Sequence, residues 1–298
     1  MEKLIFSRKG FDSSAGCGYS PYDPETGKYV VLPIPETEKR EAFRYRDLTL
    51  APDALPGIHP ASMYELIQHP ALRYSSRAKA ASKGKAHYDP VLGRPEWLKA
   101  GPDYEVFGQS GAAAGHLHGH DTGIGSLFLF FSRFRPLPGR LHKLDPDAGW
   151  SEGVYFIYGW LRVGEIWTVP DEVPEEVRRC HPHGPAESFR KKNNTLYAAA
   201  SELFPGSGIP GSGYFPRLKP ELQLSSPLHK NRPGVWKLPA FFYDEHYRPT
   251  YLQKEENWLR ADEEYYYVQS SARGQEYISS LDTESTAWIK QLFQSALT

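Results

Sequence analysis

Arg8, Lys9, Asp12 and Ser13 follow a short apolar run, Leu4 to Ser7, in a loop that also holds Gly10, Ser14, Gly16 and Gly18. A planar Arg fork, a Lys point charge and glycines that let backbone N–H groups approach closely make the chemistry of an anion site, for phosphate or carboxylate. The alternative is a solvated first hairpin in which Arg8 pairs with Asp12. Histidines form the second set: His116, His118 and His120 alternate in HLHGHD, and His181 and His183 in HPH. On an extended segment alternate residues face one side, so each group could present its imidazoles to a common point. Imidazole is the commonest metal ligand, and Asp121 or a distant carboxylate would complete a zinc or iron shell. The candidate metal residues are therefore His116, His181 and His183, with a divalent metal as candidate cofactor. His118 and His120 read instead as surface or hydrogen-bonded loop residues. The signatures of zinc proteases and zinc deaminases are missing.

The remaining composition narrows the class. With 298 residues, 40% hydrophobic and 24% charged, the chain can bury a sizeable core. A net charge of -1 excludes a strongly basic coat for nucleic acid while leaving room for a local patch. No long apolar run or secretory leader is visible, so the expectation is a cytoplasmic protein without a membrane partner. Cys17 and Cys180 form neither a disulfide framework nor a CxxC pair.

The elements that must position these residues are short strands joined by specified turns, as 26 Pro, 26 Gly and 14% aromatic residues indicate. Leu4 to Ser7 reads as a first strand and Tyr29 to Pro35 as a proline-bounded second one. Leu127 to Phe131 (LFLFF) is too short for a helix and fits a strand buried on both faces. Val154 to Val169 reads as two strands or one long bent strand, with Gly159 and Gly164 marking bulges or turns. Helices are expected in Pro60 to Gln68, in Glu172 to Arg179 and after Asp282, where Trp288, Ile289, Leu292, Phe293 and Ala296 make an apolar stripe. Asn194 to Leu203 reads as a helix or a strand passing into one. The AKAASKGKAHYDP segment, rich in Lys, reads as solvated surface or mobile loop. Phe204 to Pro216, with two GSG units, reads as a lid or linker; without a Gly-Lys-Ser/Thr after a strand it is not a P-loop. The fold class is α+β: a β-rich single domain over 1–298, with a curled sheet and a few peripheral helices. The strand and turn order is also that of PUA-like barrels, an analogy that implies a barrel core.

The blocks SRKGFDSSAG, VVLPIPE, FGQSGAAAGHL, SLFLFF, IYGWLRVGEI, HPH, NNTLYAAA, GSGYF, VWKLPAFF and RGQEY, in that order, resemble the nucleotide-modification-associated domain family, type three. The resemblance spans nearly the whole chain and lies in the number and order of the blocks. It implies an α+β domain associated with the modification of bases in DNA. Its polar blocks fall on Arg8, Lys9 and Asp12, on Gln109 and His116, on His181 and His183, on Asn193 and Asn194, and on Arg273, Gln275 and Glu276. One departure is Gly125-Ser126 where Gly-Asp is expected before the LFLFF strand. Another is Ser132-Arg133 where a Gly-Trp is expected after it.

Two functions follow from the blocks together. In the first, an enzyme modifies a nucleotide or a DNA base: Arg8, Lys9, Ser13, Arg273 and Gln275 bind the substrate, Asp12 or His116 acts as general acid or base, and Gln109, Asn193 and Asn194 read the base edge. Amides offer a donor and an acceptor together, which suits that task. In the second, a reader module binds a modified or flipped base, with Tyr158 and Trp160 stacking on it. Partners would be a nucleotide or DNA, and other DNA-modification proteins. The polar blocks are expected to converge on one cleft, with His116 beside Arg8 or Asp12 and joined by His181 or His183.

Overall fold

Aromatic and β-branched runs bounded by Gly and Pro become strands, and the strands of this protein are correspondingly short. The structure, a computed structural model, describes residues 2–11, 18–38, 42–137, 153–270 and 276–298. In chain order the strands are β1 (Lys3–Arg8), β2 (Ser20–Tyr22), β3 (Ile34–Pro35), β4 (Thr49–Leu50), β5 (Ala86–His87), β6 (Leu98–Ala100), β7 (Val106–Gln109) and β8 (Leu127–Pro136). They continue with β9 (Val154–Trp167), β10 (Thr195–Ala199), β11 (Ser212–Tyr214), β12 (Val235–Pro239), β13 (Trp258–Arg260), β14 (Tyr265–Gln269) and β15 (Glu276–Ser280). The helices are α1 (Met63–Gln68), α2 (Ser76–Ala81), α3 (Gly111–Gly119), α4 (Glu175–Cys180) and α5 (Thr283–Leu297).

The main sheet runs β15-β1-β8-β9-β10-β7, with β2 added to β8 and β11 to β9. LFLFF is its centre. Leu127 to Ser132 are all buried, β1 lies parallel on one side and β9 antiparallel on the other, as an apolar run without alternation requires. Val154 to Trp167 is one strand that bends at two irregularities. Phe130 pairs with Gly159 but Phe131 with Ile157, and Ala198 pairs with Glu165 but Ala199 with Val163. Each leaves one extra residue on β9, Tyr158 or Gly164, which is what a bulge beside or at a glycine does.

These bends curl the sheet. Phe107 on β7 meets Phe128 and Phe130 on β8 at 4.9 and 5.2 Å between ring centroids, although β9 and β10 lie between the two strands in the ladder. No closed barrel is found among the described residues: β7 and β15 remain the two ends of the path. A separate sheet, β12-β14-β13, packs onto the main one through Trp236, whose ring lies 5.0 Å from Phe131 and 4.8 Å from Tyr277.

The helix after Asp282 forms with that side chain as its N-cap and buries Ile289, Leu292, Phe293 and Ala296, while Trp288 packs partly buried against Phe6 and Phe242. Four expectations need correction. Of the strand expected over Tyr29 to Pro35 only the two-residue β3 at its end and a bridge at Tyr29 form, because Pro33 between them lacks the N–H that continued pairing needs. Asn194 to Leu203 gives the strand β10 and no helix. The second GSG unit is β11, paired with β9, and not part of a lid. The HLHGHD histidines sit on or just after the helix α3, so residues two apart diverge instead of sharing a face.

Candidate functional site

His87 closes β5, which pairs with β3, and the chain continues extended through Tyr88 to Asp89. Alternation on an extended segment puts His87 and Asp89 on one side while Tyr88 turns inward to contact the Tyr214 hydroxyl. His183 arrives from the turn after α4. One ligand atom each from His87, Asp89 and His183 lie within 4.8 Å of one another.

Every other polar atom of this trio is held. Glu36, just beyond β3, places its Oε2 2.9 Å from His87 Nδ1. Asp89 Oδ1 accepts the Gly108 N–H at 2.9 Å and stands 3.2 Å from His181 Nε2, which leaves Oδ2 facing His183 Nε2 at 3.9 Å. Asn194 clamps His183 twice: its Oδ1 accepts from His183 Nδ1 at 2.9 Å, and its Nδ2 donates to the His183 carbonyl at 3.0 Å. With the proton on Nδ1, the His183 lone pair is on Nε2, toward the carboxylate. Gly108 is required here: a Cβ at that position would lie 2.6 Å from the His183 side chain.

Burial, the largest influence on Asp89, raises its carboxyl, but the close approach of His181 and the surrounding imidazoles outweigh it and bring it to about 2. Burial lowers His183 to about 3, with His87 and His181 adding to the effect against Asp89 and Asn194. At neutral pH the pair is an ionised carboxylate and a neutral imidazole. That is the protonation a metal ligand set needs.

A second polar assembly lies on the opposite face of β7, where Phe107 and Gln109 point while Gly108 faces His183. Gln109 Nε2 donates to Glu276 Oε1 at 2.7 Å, and Lys9 Nζ reaches the same oxygen at 3.1 Å while lying 4.6 Å over the Phe107 ring. Glu276 starts β15 and Gln109 ends β7. This knot therefore bridges the two ends of the curled sheet where, among the described residues, no backbone ladder does. Glu276 Oε2 and the Tyr197 hydroxyl are buried without hydrogen-bond partners. Burial, then the Glu276 charge, pushes the Tyr197 phenol up.

The sequence-derived residues thus divide between two places. Lys9, Gln109 and Glu276 meet at the seam. His116 borders it, since its Nε2 contacts Thr250 Oγ1 at 3.0 Å and that hydroxyl donates to the Glu276 carbonyl. Burial, then the nearby His120, lowers the His116 pKa. His116 does not join His181 and His183, because α3 turns it toward Thr250, and it is no part of the metal-ligand trio. His181 supports Asp89 and is not in that trio either. Its Nδ1 accepts the His183 N–H, which leaves Nε2 for the carboxylate. Asn194 holds His183, whereas Asn193, at φ 59°, contacts the Gly111 carbonyl, so the two amides do not act as a pair. Arg8 lies over the Tyr155 ring at 5.3 Å, away from the Lys9 knot. Asp12, Ser13, Arg273 and Gln275 lie outside the described residues.

Tyr158 and Trp160 are buried, packed against Tyr214 and against Phe215 and Phe293, so neither can stack on a base. Ser126, where the resemblance anticipated an Asp, is a buried turn residue whose hydroxyl accepts from Gly123 N and Lys3 N. His87, Asp89 and Glu36 were missed by the sequence reading. The signal was present in HYDP, a His-x-Asp alternation ahead of a Pro, but the Lys-rich residues before it disguised the segment as solvated surface.

Comparison with curated proteins found no match, and comparison with solved structures found none either. A family model, Nucleotide modification associated domain 3, matches residues 3–280, a span that contains both polar assemblies and the whole main sheet. The chain therefore belongs to the nucleotide modification associated domain 3 family.

Proposed function

We propose that this protein is a metal-dependent enzyme that modifies a nucleotide or a base of DNA, with His87, Asp89 and His183 as the metal ligands. The observation that carries the reading is the trio itself: three donor atoms within 4.8 Å, each on a side chain whose remaining polar atoms are engaged by Glu36, by Gly108 and His181, or by Asn194. Ligating imidazoles in metal sites are oriented in this way, by a carboxylate or carbonyl on the other ring nitrogen. Two imidazoles and one carboxylate suit a first-row transition ion such as Fe(II) or Zn(II) better than Mg(II) or Ca(II), which favour oxygen donors. Three protein ligands leave coordination positions for water or substrate, the pattern of a catalytic and not a structural site.

When bound, the ion would supply Lewis-acid polarisation of a coordinated oxygen or nitrogen. The protein's own contribution is fixed in advance. Asp89 is held ionised, His183 is held neutral in one tautomer, and His87 stays partly exposed beside them. The test has two parts. Protein purified without chelator should carry about one transition-metal ion per chain, and Asp89→Asn and His183→Ala should carry none. Nucleosides of DNA from cells with and without the gene should then differ by mass spectrometry. A wild-type protein with no metal after reconstitution with Fe(II), Zn(II) or Mn(II) would refute the reading.

A further inference from the structure

A cavity of about 380 Å³ opens beside the end of β11, between the turn that follows β2 and the residues that lead into β6. It shares no residue with the metal-ligand trio. Tyr29, Trp97, Tyr214 and Phe215 give it aromatic walls, and the exposed Arg94 and Arg217 line it as well.

The aromatic wall is fixed by mutual contacts. Trp97 meets Tyr214 edge-on at 5.4 Å and Tyr29 at 6.2 Å between ring centroids, and the Tyr29 hydroxyl donates to the Phe215 carbonyl at 2.6 Å. Arg217 is constrained too. Its Nη1 donates to the Thr26 carbonyl at 2.8 Å, and the next residue, Leu218, donates its N–H to the Gly27 carbonyl at 2.8 Å. Gly27 is needed there at φ 71°, because a Cβ would lie 2.8 Å from the Leu218 carbonyl. A guanidinium carries more N–H donors than one carbonyl can use. Pinned in this way and paired with no carboxylate among the described residues, Arg217 keeps donors for a ligand.

The other charges of the cavity are weaker anion partners or are neutralised. Lys28 pairs with Asp53 at 2.9 Å, Arg94 approaches the exposed Asp103 to 3.5 Å, and Glu96 lies exposed, where solvent screens it. The Lys9 ammonium, expected from the sequence to hold an anion, is engaged elsewhere by Glu276.

We propose that this cavity binds a nucleoside monophosphate, its phosphate on Arg217 with Arg94 as the second cation, and its base against Trp97 and Tyr214. Phosphate oxygens match a guanidinium fork, and an aromatic wall suits any base because each has a π-face. The volume falls in the range of small-molecule sites, roughly 300–1,000 Å³. Tyr88, the residue between His87 and Asp89, meets the wall at Tyr214, hydroxyl to hydroxyl at 3.3 Å. The nucleotide is therefore recognised apart from the metal. Its choice over other aromatic phosphates rests on the proposed function, whereas the joining of a cation to an aromatic wall does not. The nucleotide is either free or the 5′-terminal residue of a strand.

Calorimetric titration of the intact protein with each natural deoxynucleoside 5′-monophosphate, with the matching nucleosides and with deoxyribose 5-phosphate tests this. The tightest monophosphate should bind about 10–100-fold more strongly than its nucleoside and than the sugar phosphate. Arg217→Ala should weaken that monophosphate about 10-fold or more and leave the nucleoside unchanged, with Arg217→Lys between, because a point charge replaces the fork. A 5′-phosphorylated oligonucleotide that competes with the monophosphate identifies a strand end, and one that does not identifies a free nucleotide. Asp89→Asn should bind the monophosphate like wild type. Loss of metal with nucleotide binding intact thus removes the metal reading alone, and metal loading without nucleotide binding removes this one alone. Equal affinity for monophosphate and nucleoside, affinity unchanged in Arg217→Ala, or no binding of any monophosphate would overturn the proposal.

Discussion

Asn194→Ala should weaken metal binding while Asn193→Ala, one residue away, should not. Asn194 is buried and makes two contacts to His183, at 2.9 Å to Nδ1 and 3.0 Å to the carbonyl. Truncation strands a buried N–H and a buried C=O, each worth roughly 1–3 kcal/mol of desolvation. It also frees the imidazole to move its proton to Nε2, the atom that faces Asp89. Loss of such an outer partner typically costs about 10–100-fold in metal affinity, or roughly 1.4–2.7 kcal/mol. Asn194→Asp keeps an acceptor for the Nδ1 proton and should hold affinity near or above wild type. The Asn193 side chain, on a backbone at φ 59°, donates to the Gly111 carbonyl at 3.5 Å and does not touch His183. Replacing it with alanine should lower stability by about 1 kcal/mol through left-handed strain and leave affinity alone. The assay is competition for Zn(II) or Fe(II) against a chromophoric chelator, with circular dichroism as the fold control. Equal affinities for the wild type and Asn194→Ala, or an Asp variant as weak as the Ala variant, would refute the account of how His183 is oriented.

Other consequences follow from the same contacts. Glu276→Ala or Lys9→Met alone should cost about 3–5 kcal/mol in urea denaturation, because each leaves a buried charge or amide of the seam uncompensated, while Lys9→Met with Glu276→Leu should lie much closer to wild type. Strictly additive losses would show that the pair does not bridge the sheet ends. Gly108→Ala should abolish metal loading by displacing His183, whereas Gly119→Ala, whose Cβ meets nothing within 4 Å, should load normally by elemental analysis. Burial and His120 depress His116 below its ordinary value of 6.5, so the unfolded chain binds the additional proton in the interval between the two values. Stability should therefore fall as pH drops below about 6.5, and His116→Gln should make that decline shallower in denaturation series at successive pH values.

Much of the fold was legible because it is local. LFLFF carries no alternation and so had to be a central strand, Gly159 and Gly164 marked the places where β9 bends, and Asp282 announced the helix it caps. The HLHGHD segment misled because α3 lacks an apolar stripe: only Ala114 and Leu117 are buried, so nothing in the pattern marked a helical period. Asn194 to Leu203 misled for the opposite reason. Its helix-forming Ala run is overridden by pairing with β7 and β9 on both sides.

The sequence by itself determined which residues could do chemistry: Arg, Lys, His, Asp and amide side chains set among Gly and Pro, in blocks sufficient to mark the family. Only the tertiary structure decided which of them meet. His87 and Asp89 reach His183 because β5 runs beside the strand end that supplies Glu36 and because Gly108 leaves room for the imidazole. Lys9, Gln109 and Glu276 meet because the bulges in β9 curl the sheet until its two ends approach. Strand pairing and curvature are long-range properties, set by packing between segments far apart in the chain. A local pattern records the side of a strand on which a residue lies, and the partner across the gap is fixed only when the sheet curls to bring its ends together.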